Sequence, residues 1–177
     1  MKTTLVKKIE LFTNIAIILV ALILGAVLVK KFLLTDTTAS QPKKDIAVGE
    51  KVNFEQINWA SNKNTLVLVL SKDCHYCTES LPFYQKINQE IAKNPSVKIA
   101  AVFPQDVQTA QEYLKANNLD INQVYKGNPS AVGAGGTPTL ILVDENGKVV
   151  ETWFGKLMSS DEEQKVLDRL RSVSANG

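Results

Sequence analysis

Cysteine and histidine are scarce in this chain. Its 177 residues hold two cysteines, Cys74 and Cys77, and one histidine, His75. Two thiols are too few for an all-cysteine zinc site built from one copy. A mixed site around His75 would have to recruit Asp or Glu ligands. A c-type haem attachment needs His directly after the second cysteine, and Thr78 stands there. Neither a metal nor a cofactor is therefore expected. An excess of charge of either sign is lacking too. The net charge of +2 argues neither for nucleic acid nor for strong steering of a charged partner. There is no internal repeat. The remaining composition is that of a globular protein, 45% hydrophobic and 21% charged.

What is present centres on residues 65–93. An apolar run, 65–70, suits a buried strand. Four residues on come Cys74-His75-Tyr76-Cys77. From 78 to 93, Leu81, Tyr84, Ile87 and Ile91 recur at helical spacing. The two cysteines thus fall where a strand turns into a helix. A helix start carries free N–H groups and the positive end of the macrodipole. A thiolate placed there is stabilised, and the thiolate is the nucleophile. Cys74 is the expected attacking sulfur and Cys77 the shielded, resolving one. A structural disulfide is the bland alternative, although so short a loop constrains the unfolded chain little. A mixed metal site is the other.

The strand, the CxxC and Pro82 five residues past the second cysteine together resemble the thioredoxin superfamily. The run 77–82 is similar to the helix of membrane-anchored TlpA/ResA-like thiol–disulfide oxidoreductases. Gly136-Thr137-Pro138-Thr139 resembles the superfamily's cis-proline loop opposite the CxxC. The resemblance covers 46–173. It implies catalysis by Cys74 and Cys77 through a redox-active disulfide, with Tyr76, Thr137 and Pro138 forming the substrate contact. Protein thiols or disulfides would be the substrates. A membrane dithiol donor would recharge a reductant, and a quinone-linked partner would drain an oxidant.

Asp73 and His75 are the expected tuning residues. A charged His75 would favour the Cys74 thiolate and Asp73 would oppose it. Asp73 replaces the usual Trp before the first cysteine. Leu68 takes the place of a buried Asp or Asn, and Ser80 that of a Glu, with Glu79 one residue earlier. An apolar wall behind Cys77 and a carboxylate beside Cys74 point to a reductant. Two rival functions remain open. Ser71, three residues before Cys74, half-matches a peroxiredoxin-like peroxidase, but Val67 stands where that pattern has Pro. A non-catalytic thioredoxin-fold binding module is the other.

The N-terminal region reads differently. After a short flank, 1–10, residues 11–29 are almost uninterruptedly apolar, and Lys30 and Lys31 follow. As a helix, 11–29 would span about 28 Å at ~1.5 Å per residue, matching a hydrocarbon layer of ~30 Å. The expectation is an uncleaved transmembrane helix over 11–31, since no clear cleavage site follows. A flexible linker, 32–45, precedes a thioredoxin-like domain over 46–177. The resemblance places that domain on the periplasmic or extracytoplasmic side of a bacterial inner membrane.

Within the domain, 48–59 reads as short strands or a hairpin. Strands are expected over 97–103, 123–125, 139–144 and 148–154, and a helix over 107–116 with Asp106 as N-cap. Asn146-Gly147 signals a type I′ hairpin turn. Residues 160–163 form a capping box for a last helix. The order β-α-β-α-β-β-α implies an α/β fold with a central mixed sheet and helices on both faces.

Overall fold

The computed structural model describes residues 15, 17–22, 24, 45–93 and 95–175. The expected flank over 1–10 and nearly all of the expected linker lie outside these residues. So does most of the expected membrane span; its described residues are helical and exposed. Among the described residues no helix is long and apolar enough to cross a membrane. By contacts the chain divides into two units, Met1–Gln41 and Pro42–Gly177. The second carries the fold described below.

Five strands form one sheet: β1 (Asn64–Val69), β2 (Val97–Phe103), β3 (Gln123–Lys126), β4 (Thr139–Asp144) and β5 (Val149–Phe154). Their spatial order is β3-β2-β1-β4-β5. β1 and β2 are parallel, as are β2 and β3. β4 runs antiparallel to both β1 and β5. Among the described residues of this second unit the α-helices are α1 (His75–Glu79), α2 (Leu81–Ala92), α3 (Val107–Ala116) and α4 (Ser160–Ala175). Short 3-10 turns cover Trp59–Ser61 and Pro129–Val132.

Strand periodicity divides the core in two. Leu66, Leu68 and Leu70 point into one cluster, where they meet Cys77, Tyr84, Ile87, Leu114 and Leu170. Val67 and Val69 point into the other, against Val52, Phe54, Ile57 and Val132. All four helices contribute to the first cluster or pack against it. The expectation of helices on both faces is therefore corrected. The crossovers β1-α2-β2 and β2-α3-β3 step the same way across the sheet. Right-handed connections then place both helices on the same side. The opposite face is covered by irregular chain from 46–59 and by the turn at Pro129–Val132.

That irregular cover replaces the strands or hairpin expected at 48–59. It joins the sheet beside β5, where Lys51 bridges Lys148, the Val52 amide donates to the Gly147 carbonyl at 2.8 Å, the Gly49 amide donates to the Val149 carbonyl at 2.7 Å and the Val149 amide donates to the Glu50 carbonyl at 2.9 Å. It is also pinned at Gly133, whose carbonyl accepts from the Ile46 amide at 2.8 Å. Gly133 has φ +78°, and a Cβ there would stand 2.8 Å from Ile46 Cβ. Gly133→Ala should therefore cost about 1–2 kcal/mol for the left-handed backbone alone, with the clash in addition. Urea denaturation should show a lower midpoint at unchanged slope. An unchanged midpoint would mean that this contact does not hold the cover.

Three local expectations shift by a residue or change type. The helix expected over 78–93 starts earlier, at His75, and is broken in two at Ser80. Ser80 ends α1 and begins α2, its Oγ donating to the Tyr76 carbonyl at 2.8 Å. Pro82 falls in the first turn of α2, where a missing N–H costs nothing. At 145–147 only Gly147 has positive φ, so the turn is not type I′. Asp144 Oδ1 accepts from the Asn146 and Lys148 amides at 2.8 and 2.9 Å, favouring a three-residue loop with Gly147 in the left-handed position. At the last helix Ser159, not Ser160, caps: its Oγ accepts from the Glu162 amide at 3.2 Å, while Glu162 Oε2 accepts from the Met158 amide.

Candidate active site

The site begins at the end of β1. A turn over 71–73 leads to Cys74, which is the N-cap of α1 in extended backbone conformation. Capping sets the sulfur's position. Cys74 Sγ accepts from the Cys77 amide at 3.4 Å, a free N–H of the first helical turn. Cys74 is partly exposed, whereas Cys77, one turn in, is fully buried, and both are free thiols. This matches the expected division into an outer and an inner sulfur.

Facing them is the start of β4. The Thr137–Pro138 peptide bond is cis. The Cys74 thiol donates to the Thr137 carbonyl at 3.4 Å. Thr139 Oγ1 fastens the loop by donating to the Gly136 carbonyl at 2.9 Å, and the Gly155 amide donates to the Pro138 carbonyl at 2.8 Å. The antiparallel register of β1 with β4, pairing Val69 with Thr139, delivers the loop to the sulfurs. Tyr76 is 56% exposed between the cysteines, with its ring 5.7 Å from that of His75.

The two thiols are held apart in acidity. Burial pushes the Cys74 thiol up, but hydrogen bonding by the Thr137 side chain, the Cys77 side chain and the backbones of Cys77 and Tyr76 outweighs it. The net result lies below the ordinary thiol value. Burial pushes Cys77 up to about 12, with Cys74 adding to the rise and a backbone hydrogen bond from Ser71 opposing it. At neutral pH the outer sulfur is thus the readier nucleophile.

Neither expected tuning residue faces the sulfur. Asp73 gives one carboxylate oxygen to Lys72 Nζ at 2.6 Å and the other to Gln105 Nε2 at 3.1 Å. His75 Nε2 lies 3.2 Å from Glu79 Oε1, one turn along α1. Glu79 also pairs with Lys156 Nζ at 3.0 Å, which holds its carboxyl below the usual range and ties α1 to the segment after β5. Leu68 is fully buried in the cluster that contains Cys77, so β1 offers the inner thiol no carboxylate. Ser71 Oγ accepts from Gln105 Nε2 at 3.1 Å and from the Asp73 amide at 3.3 Å; this is the hydroxyl on which the peroxidase reading rested.

Gln105 and Lys156 escaped the sequence reading. Both lie far from Cys74 in sequence and on no recognisable motif. Only the strand order brings their loops to this end of the sheet. Among the described residues no cluster of three His, Cys, Asp or Glu side chains is placed to hold a metal ion. A solvent-open hollow of about 450 Å³ lies elsewhere, lined by Leu114, Leu119 and Ile121.

Fold and sulfur pair together define a class, the thioredoxin-like oxidoreductases. Within it the chain belongs to the Redoxin family, whose model matches residues 37–168. Solved structures of the same fold include a protein assigned as the thiol:disulfide interchange protein DsbE from Chlorobium tepidum. It is 16% identical with a TM-score of 0.56, and the match covers 73% of this chain and 99% of that one. The thioredoxin domain of a thiol-disulfide oxidoreductase from Bacteroides vulgatus is 19% identical with a TM-score of 0.54, covering 71% and 99%. A thiol:disulfide interchange protein from Bacteroides sp. is 18% identical with a TM-score of 0.52, covering 74% and 93%. At such identities the likeness establishes the fold. No curated protein matches the chain.

Proposed function

We propose that this chain is a membrane-tethered thiol–disulfide oxidoreductase that reduces protein disulfides on the extracytoplasmic side of a bacterial inner membrane. The observation that carries the exchange reading is the partly exposed Cys74 sulfur, capping α1 and lying 3.4 Å from the Thr137 carbonyl next to cis Pro138. The Cys74 thiolate attacks one sulfur of a substrate disulfide. That S–S bond breaks, and the other substrate sulfur leaves with the electron pair and takes a proton. Cys77, deprotonated, then attacks Cys74 in the mixed disulfide. The second substrate thiol is released and a Cys74–Cys77 disulfide remains, two electrons having passed to the substrate. A membrane dithiol donor would restore the dithiol. Run in reverse, the cycle would need a quinone-linked oxidant. Tyr76, Thr137 and Pro138 are the surface on which the substrate segment would lie.

The apolar run over 11–29 supports the tether, and the resemblance to anchored oxidoreductases supports the location. The reducing direction rests on charge. An oxidising pair needs a strongly stabilised thiolate, so that the reduced form is favoured. Here the one histidine is turned to Glu79, and among the described residues no cation pairs with Cys74. Hydrogen bonds and the helix start are what stabilise its thiolate. The reduction potential should lie nearer about −270 mV than about −120 mV. Equilibration of the full-length chain with glutathione measures it. A value above roughly −180 mV would move the protein to the oxidants and isomerases.

A further inference from the structure

β1 and β2 are parallel neighbours, so the loops that leave them, 71–73 and 104–106, emerge at the same edge of the sheet. Gln105 bridges them. Its Nε2 donates to Ser71 Oγ and to Asp73 Oδ2, each at 3.1 Å. Lys72 Nζ takes the other oxygen, Asp73 Oδ1. Both oxygens of Asp73 are thereby engaged away from the cysteine that follows it. The same loop positions both sulfurs. The Ser71 carbonyl accepts from the Cys74 amide at 3.2 Å, and the Ser71 backbone hydrogen-bonds Cys77.

Gln105 makes these two bonds at a cost. Its Oε1 is buried without a hydrogen-bond partner. A buried acceptor left unpaired is unfavourable. A side chain selected only to fill this space would do better without it. The donor half of the amide is what the position uses.

We infer that Gln105 is a positioning residue for the redox pair, its amide holding the Asp73 carboxylate off the Cys74 sulfur and tying the 71–73 turn to the end of β2. A carboxylate directly before the attacking cysteine is a hazard, because a like charge within reach disfavours the thiolate. The Asp73 side chain is 68% exposed, so nothing steric restrains it. Lys72 alone holds one oxygen from a flexible stem that is itself 42% exposed. Gln105 adds a second hold, from a separate element, and grips Ser71 at the same time. Of the other charges at this end of the sheet, His75, Glu79 and Lys156 are engaged with one another, and Asp106 accepts from the Thr109 amide and hydroxyl and is drawn toward Lys126 at the end of β3.

The inference rests on Cys74 being the attacking sulfur, but it is tested through ionisation rather than turnover. A chain inert as an oxidoreductase would still give the answer. Gln105→Met keeps the length of the side chain and removes the donor. In the reduced full-length chain, iodoacetamide should alkylate Cys74 about threefold to tenfold more slowly below its pKa, with the whole pH profile displaced upward. In an Asp73→Asn background the same change should leave the profile where Asp73→Asn alone puts it. Should Gln105→Met not fold, Gln105→Leu also lacks the donor, adds no charge and should displace the profile in the same direction. An unchanged profile overturns the inference. So does a displacement that persists in the Asp73→Asn background, since it would then come from general disruption of the turn.

Discussion

Cys74→Ser should reduce insulin disulfides no faster than the uncatalysed background, while Cys77→Ser should accumulate mixed disulfides with its substrate. The asymmetry follows from placement. Cys74 caps α1 and is partly exposed, with its thiol held below the ordinary value, so it alone can meet a disulfide in another protein. A serine hydroxyl at the same place cannot form the mixed disulfide, and the cycle never starts. Cys77 is fully buried. It cannot reach a substrate, but a cysteine one helical turn away is within its range. Without it the first exchange proceeds and the second does not. Non-reducing electrophoresis should then show a covalent adduct that dithiothreitol removes. Undiminished activity in both single variants would sink the exchange mechanism. Undiminished partner binding in a Cys74→Ala, Cys77→Ala chain, together with no activity in the parent, would favour a binding module instead.

Much of this arrangement follows from local pattern. The strand at Val97–Phe103 and the helix at Val107–Ala116 have the expected bounds, because an apolar run ends at Pro104 and Asp106 then caps. The Asp106 carboxylate accepts from the Thr109 amide at 2.9 Å, which is what an N-cap does. Cys74 and Pro138 were recognisable because each sits inside a short motif. What escaped depends on competition between neighbours. Ser80 and Pro82 together favour a new helix start over one continuous helix, since Ser80 can satisfy the end of one helix and open the next. Asp144 can bond two amides ahead of it, and that outweighs the Asn-Gly signal for a type I′ turn. The placement of all four helices against one face of the sheet is decided by the direction of successive crossovers, which no window of sequence contains. Asp73 shows the same limit within the site. Adjacency predicted that it would oppose the thiolate, yet its partners come from Lys72 and from Gln105, a loop away.

The resolving step should depend steeply on pH. Cys77 must lose its proton before it attacks Cys74, and burial together with the neighbouring sulfur pushes that thiol up to about 12. In the mixed disulfide Cys74 no longer carries charge, so its contribution disappears. Burial is the larger cause and remains. The side chain that could have taken the proton from β1 is Leu68, which is apolar and fully buried. Tyr84 and Tyr113, near the sulfurs, are themselves held protonated, chiefly by burial, so neither is a base at neutral pH. The reactive thiolate fraction of Cys77 should then rise about tenfold for each pH unit while the pH stays well below its pKa. Release of substrate from a preformed Cys74 mixed disulfide, followed by rapid quench, should accelerate by roughly a thousandfold between about pH 6 and about pH 9 without levelling off. Attack by Cys74, whose thiol lies below the ordinary value, should level off at lower pH than resolution does. The two steps therefore separate: attack controls the rate at high pH and resolution controls it at low pH. A resolution rate already flat near about pH 7 would require a base close to Cys77, and the absence of a carboxylate at position 68 would then have no kinetic consequence.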